Sequence, residues 1–195
     1  LILPLIIACS LFEKDRDAST ELKYMRAEYY KYLEQTCIAD EYYDGLKNTF
    51  QYSACLLDEK ALDMQLSINR LSSLWSDQEF YKQQVDNDKS KSQETVVFLS
   101  FYSPDNKIVD LEKKSTDWKI YLNDGTNRYS ASAVIKMPRN YKAIKNMYPS
   151  HSHWGTAYKA RFDHPVGMFD REKLKFTITS GEGYSQKDIP IYSLD

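Results

Sequence analysis

The sequence has no surplus of either charge. Its 26 Lys and Arg nearly cancel its 28 Asp and Glu, leaving a formal charge of -2, and no long run of one sign occurs. A protein that neutralises phosphates needs a basic patch or stripe, so nucleic-acid binding has no electrostatic support. Residues 1–8 are apolar throughout, but that run is far short of the ~20 residues a membrane-spanning helix requires. There is no Gly-x-Ser-x-Gly elbow, phosphate-cradling glycine loop, His-Glu-x-x-His pair or dinucleotide fingerprint, so the common routes to hydrolysis, phosphoryl transfer and hydride transfer are not signalled. Ser180-Gly181-Glu182-Gly183 follows a strand-like run and leads into Tyr184-Ser185-Gln186; with no helix to receive a phosphate, it reads as a turn. Cysteine is scarce, at three residues with no Cys-x-x-Cys spacing, which argues against a redox dithiol. The expectation is a non-enzymatic protein without a cofactor.

What is present suffices for a fold. With 195 residues and 42% hydrophobic content, the chain can bury one good core or two small ones. Sixteen Tyr against eight Phe suits half-buried surfaces and binding faces, because tyrosine packs its ring and keeps a hydroxyl for water or a partner. Residues 1–8 have the length and apolarity of a secretion-signal core. The chain starts without Met or a basic segment, so this stretch is expected to be the remnant of a signal that begins upstream.

Ile6-Ile7-Ala8-Cys9 resembles the lipobox of bacterial lipoproteins, whose pattern is Leu, a small or aliphatic residue, Ala or Gly, then Cys. Ile6 replaces the usual Leu and Ile7 is larger than typical, while Ala8 and Cys9 match. The resemblance implies diacylglyceryl on the Cys9 thiol, cleavage before Cys9 and acylation of the new amine. Two or more acyl chains anchor a protein stably, at ~0.8 kcal/mol per buried CH2. Residues 9–18, with the polar run Glu13 to Asp17, then form a tether. Ser10 rather than Asp after the cysteine implies, by the sorting rule of such lipoproteins, the outer membrane over the inner. The membrane is thus the first expected partner.

Residues 19–85 are expected to form an antiparallel helical hairpin. Leu22, Met25, Tyr29, Tyr32, Leu33, Thr36 and Tyr43 mark a first amphipathic helix with a stop at Asp44-Gly45. From Phe50 through Ala54, Leu57, Ala61, Met64, Ile68 and Leu71 to Trp75, the apolar spacing is 4, 3, 4, 3, 4, 3, 4, the stripe of a long packed helix. Ser76 with Glu79 makes a capping box for a short helix to about Val85. In an antiparallel hairpin, facing residues are equidistant from the turn, and Cys37 and Cys55 are centred on residue 46. That centre lies inside the expected turn, Asp44 to Asn48, so turn and a Cys37–Cys55 disulfide support each other in an exported chain. A turn at Ile38 to Glu41 would instead leave the cysteines ~20 Å apart, beyond bonding reach.

Residues 86–94 are polar and aperiodic and read as a linker. Beyond them, strand-like runs are expected at 95–102, 118–122, 128–136, 156–162, 173–179 and 189–192, with Asn123-Asp124-Gly125 as a hairpin signal and Ser103-Pro104-Asp105 as a strand exit. The fold class is therefore α+β: the helical hairpin, then an antiparallel β-sandwich of immunoglobulin-like type over 95–195, with a small barrel as the alternative. Ser100 to Asp105, Asp117 to Leu122 and the run from Tyr148-Pro149 through Trp154 to Tyr158 look like the β-domain of small lipoproteins of Gram-negative bacteria that carry a helical front. That resemblance implies architecture and brings no catalytic residue.

All three histidines fall in one window. His151 and His153 would share a side of an extended segment, and His164 or Asp163 would be a third ligand in a metal site such as zinc. Trp154 and Tyr148 are the candidate ligand-binding aromatics of the same region. The leading expectation is a membrane-anchored cell-envelope lipoprotein with an interaction or structural role and an envelope protein or glycan as partner; the alternative is a periplasmic ligand- or metal-binding protein using the His151 to His164 loop. Oligomeric state is left open.

Overall fold

A computed structural model describes residues 5–105 and 108–190, with side chains from residue 18 onward except residue 171. The class is α+β, with four α-helices and two antiparallel sheets among the described residues. Helix α1, Leu5–Thr36, buries Tyr29, Tyr32, Leu33 and Thr36, spacings that keep one face of a helix inward. Cys9 lies outside the residues whose side chains are described. None of the described helices is long and apolar enough to cross a membrane.

The helical hairpin expected over 19–85 is not what forms. Residues after Thr36 turn into β1, Cys37–Asp44, which pairs antiparallel with β2, Lys47–Leu57. The physical reason is a period of two that overrides the apparent helical stripe. Ile38 and Tyr42 pack inward from β1, and Phe50, Tyr52, Ala54 and Leu56 do so from β2. Cys55 and Leu57 point to the opposite face and are buried there as well. A strand buried on both faces loses its simple alternation, so Phe50, Ala54 and Leu57 mimic helical spacing. The two strands meet in a two-residue loop, Gly45-Leu46, with Gly45 at φ +60°, a left-handed conformation that glycine adopts without a Cβ penalty.

The Cys37–Cys55 disulfide is formed, and the two residues are direct cross-strand partners. Equidistance from the turn holds for any antiparallel hairpin, so the pairing survives the change from helix to strand.

Asp58 ends β2 and starts the next helix, accepting a hydrogen bond from the Ala61 N–H at 3.0 Å. Helix α2, Glu59–Ser72, buries Ala61, Gln65 and Ile68. The Ser76/Glu79 capping box is present at the start of α3, Asp77–Gln93. This helix extends well past Val85, and the stretch expected as a linker over 86–94 is helical to Gln93. Its polarity reflects a helix with no buried residue, held from outside: Lys91 pairs with Asp63 of α2 and with Asp88, each at 2.8 Å. At its end Glu94 takes a two-pronged hydrogen bond from Arg161, both contacts 2.6 Å.

Strands β3, Thr95–Tyr102, and β7, Thr156–Phe162, fall where the sequence places them. The others are β4, Lys119–Asn123, β5, Arg128–Ser130, β6, Ala133–Lys136, β8, Lys175–Ser180, and β9, Gly183–Asp188. They form a five-stranded sheet, β1-β2-β3-β7-β6, and a four-stranded sheet, β5-β4-β8-β9. One core lies between the sheets, where Leu99, Phe101 and Phe162 meet Trp118, Ile120, Leu122 and Phe176. The other lies on the outer face of the five-stranded sheet, where Cys55, Leu57, Phe98 and Ala157 meet Tyr29 and Leu33 of α1 and Ile68 of α2. The helices are thus a third layer on the sheet.

Replacing Cys37 and Cys55 together by Ser is expected to lower the unfolding free energy by about 3 kcal/mol, because the bridge closes a loop of 18 residues. Urea denaturation of the double variant beside the oxidised parent measures the difference, and equal midpoints would contradict a stabilising brace.

Candidate functional site

The outer face of β3 presents Val96, Phe98 and Ser100 in turn, while Val97, Leu99 and Phe101 face the other sheet. α1 and α2 cover Phe98. At Ser100 the cover changes to the loop that follows α4, Tyr141–Met147. Ser100 is buried, 3% exposed, as is His151, and Ser100 Oγ lies 2.8 Å from His151 Nδ1. The same Oγ accepts the Ser152 N–H at 3.1 Å. A Cβ on Gly155 would stand 2.6 Å from that oxygen, so glycine there lets the loop close over the serine.

The loop is fixed at several further points. Lys145 donates to the carbonyls of Pro149 and His151, at 2.5 and 3.0 Å. The Gly155 N–H donates to Ser152 O, and the Trp154 N–H to Ser152 Oγ. Asn140 caps α4 through its side-chain oxygen, accepting from Ala143. Burial, together with the positive charge of Lys145 and the neighbouring His153, pushes the His151 pKa down. The lowered pKa favours the neutral ring, and Ser100 Oγ and His151 Nδ1 share one hydrogen bond.

A line of rings runs outward from this anchor. Phe98 stacks on Tyr148 at 3.7 Å and meets the edge of His151 at 6.2 Å. Tyr141 lies 5.7 Å from His151 and 4.7 Å from His153, and His153 lies 5.1 Å from Trp154. Trp154 ends the line in water, 77% exposed. Beside it opens a cleft of about 350 Å³, bordered by Tyr102, Arg139, Asn140, Tyr141, His153 and Trp154 among others. No carboxylate side chain borders it among the described residues.

The three histidines are not brought together. His151 and His153 share the cleft, but His164 packs by its edge on Tyr129 at 4.9 Å. Among the described residues no group of three metal-ligating side chains exists. The loop curls rather than running extended, and its buried histidine is occupied by Ser100. Tyr148, expected as a ligand-binding aromatic, is a core residue: it is buried, its hydroxyl is 3.3 Å from Gln65 Nε2, and burial pushes its pKa up to about 12. Trp154 alone of the two stands where a ligand reaches it.

Ser100, Arg139, Tyr141 and Gly155 were not among the residues singled out from sequence. Ser100 carried a signal, as a polar residue at an outward position of an otherwise apolar strand. The Ser100–His151 pair fastens the loop to β3: the hydroxyl is buried, accepts the Ser152 N–H and shares a hydrogen bond with His151 Nδ1. Comparison with protein-family models, curated proteins and solved structures gives no match.

Ser100→Ala leaves Nδ1 of a buried histidine and a backbone N–H without their partner, and is expected to cost about 1–3 kcal/mol in denaturant unfolding. The histidine also sets a pH dependence. Its folded pKa is depressed, so the unfolded chain binds the extra proton first; the contribution is fully present above the unfolded value of about 6.5 and is lost as pH falls through the lower folded value. Thermal melts from pH 7.5 downward should therefore show a loss of stability that His151→Asn flattens; parallel curves for parent and variant would contradict a buried neutral imidazole.

Proposed function

We propose that this chain is an exported, lipid-anchored envelope protein with a non-catalytic binding role, and that the Trp154 cleft is its recognition surface. The observation that carries the reading is an indole left 77% exposed on a loop otherwise fastened at every turn. Burying such a side chain is worth roughly 1.5–3 kcal/mol, and a rigid exposed aromatic beside a cleft is the form that binding hot spots take. An enclosed Ser100 and the lack of a bordering carboxylate among the described residues favour binding over catalysis.

Export is supported by the Cys37–Cys55 bridge, since structural disulfides persist in oxidising compartments. That bridge leaves Cys9 as the remaining cysteine, at the end of the lipobox-like stretch, with Ser10 favouring the outer membrane. Two facing antiparallel sheets around Trp118 support an immunoglobulin-like kinship for the β-rich part, with β1 and β2 added to the larger sheet. The metal-binding alternative has less support, since His164 packs on Tyr129, Asp163 accepts from Ser132, and neither joins the other two histidines among the described residues.

Expressed behind a lipoprotein secretion signal in a Gram-negative host, the protein is expected in the membrane fraction with Cys9 acylated by mass spectrometry, and Cys9→Ser is expected in the soluble periplasmic fraction. An unmodified cysteine in a membrane-free protein would defeat the anchoring. For the surface, a photo-crosslinking residue placed at Trp154 should give adducts in intact cells that the same residue at Tyr184, also exposed, does not; equal labelling would remove the cleft from the reading.

A further inference from the structure

We propose that the Trp154 cleft binds a carboxylated saccharide, a ring of uronic-acid type within an acidic glycan. The inference rests on the reading of the cleft as a recognition surface and names what it recognises. A sugar ring has one apolar face of C–H groups and a rim of hydroxyls, so it lies on a single open aromatic face while its rim stays wet or hydrogen-bonded. Trp154 offers that face to water. An aromatic acid would instead need its ring enclosed between apolar walls, whereas the border beyond Trp154 interleaves apolar side chains, Val109, Met137 and Pro138, with the polar Arg139, Asn140, Tyr102 and Tyr141.

The charge on the sugar follows from what surrounds the indole. Arg139 is exposed and has no ion-pair partner among the described residues. Its guanidinium presents a planar fork that matches a carboxylate two-pronged. Among the described residues no carboxylate side chain borders the cleft, although acidic residues outnumber basic ones in the whole chain, 28 to 26, so the described border opposes an anion with no like charge. Asn140 uses its side-chain oxygen on the α4 cap, which leaves its NH2 group to donate to a hydroxyl or ring oxygen. The volume of about 350 Å³ is at the small end of ligand clefts and suits roughly one or two sugar rings.

The test is titration of the full chain with trigalacturonate, with neutral maltotriose and with phenylacetate, followed by tryptophan fluorescence and calorimetry. Trigalacturonate is expected to bind at least about tenfold more tightly than maltotriose, the gain of one charge-assisted pair. Added salt should shrink that preference. Arg139→Gln should remove most of the difference between the two sugars, and Trp154→Ala should weaken both. Equal affinities for the two sugars, or a preference that survives Arg139→Gln, would overturn the carboxylate assignment. Phenylacetate binding at Trp154 with neither sugar bound would overturn the saccharide and leave the recognition surface standing. No binding of any probe to a protein with an unchanged circular dichroism spectrum would overturn the proposal; the crosslinking at position 154 then decides separately whether the surface itself stands.

Discussion

The five-stranded sheet is covered on both faces, and most other features follow from that constraint. Strands β2 and β3 have to be apolar on two sides at once. In β3, Val97, Leu99 and Phe101 serve the core between the sheets, and Phe98 serves the core under the helices. Each fully buried side chain of this kind contributes roughly 1.5–3 kcal/mol, so a position that breaks the pattern requires a local remedy. Ser100 is that position. Its hydroxyl must be satisfied where water does not reach, and the remedy is His151 and the Ser152 N–H. The loop that supplies them carries His153 and Trp154 out to the surface beside the cleft.

The helical layer is held by polar contacts as much as by apolar ones. Gln65 donates to the hydroxyls of Tyr29 and Tyr148, at 2.6 and 3.3 Å, and so joins α1, α2 and the segment after α4 inside one core. Tyr32 reaches the Asp58 carboxylate that also caps α2. A Phe-rich version of this layer would pack without fixing which ring sits where, whereas paired hydroxyls specify the arrangement. The high tyrosine content is in this respect a matter of architecture, and of the described tyrosines only Tyr102 and Tyr141 border the cleft.

The β-rich half was legible because its strands are short and separated by turn chemistry. Asn123 accepts the Gly125 N–H and Asp124 accepts the N–H groups of Thr126 and Asn127, the local bonds that Asn and Asp are placed in turns to make. The stretch from Cys37 to Leu57 was misread for a specific reason: burial on both faces gave β2 a helix-like stripe, and Asp58, the cap that ends it, has Ala61 rather than Glu or Gln at the third helical position. Polarity misled at 86–94, where α3 is ordered by ion pairs and caps without a buried face. In the site, Trp154 was foreseeable as an exposed aromatic, but Tyr148 was not distinguishable from it. Their fates depend on Phe98, which is 50 residues away in sequence and stacks on only one of them.

The disulfide sits where the helical segment becomes the edge of the sheet. β1 has a partner on one side only, β2, and an unpaired edge is a liability that proteins blunt with charge and covalent or tertiary ties. Here Asp40 accepts from Ser185 of β9 at 2.6 Å and pairs with Lys187 at 3.1 Å; burial alone would raise its pKa, but these two donors outweigh it and hold the carboxylate below its usual range. The edge is therefore fastened to the second sheet by Asp40 and to its own neighbour by Cys37–Cys55. On the anchored reading, any pull transmitted from the membrane along α1 enters the β-structure at Thr36–Cys37. The first residue of the edge strand is also the one bonded covalently to β2, so the pull is passed to a strand buried on both faces instead of peeling β1 away.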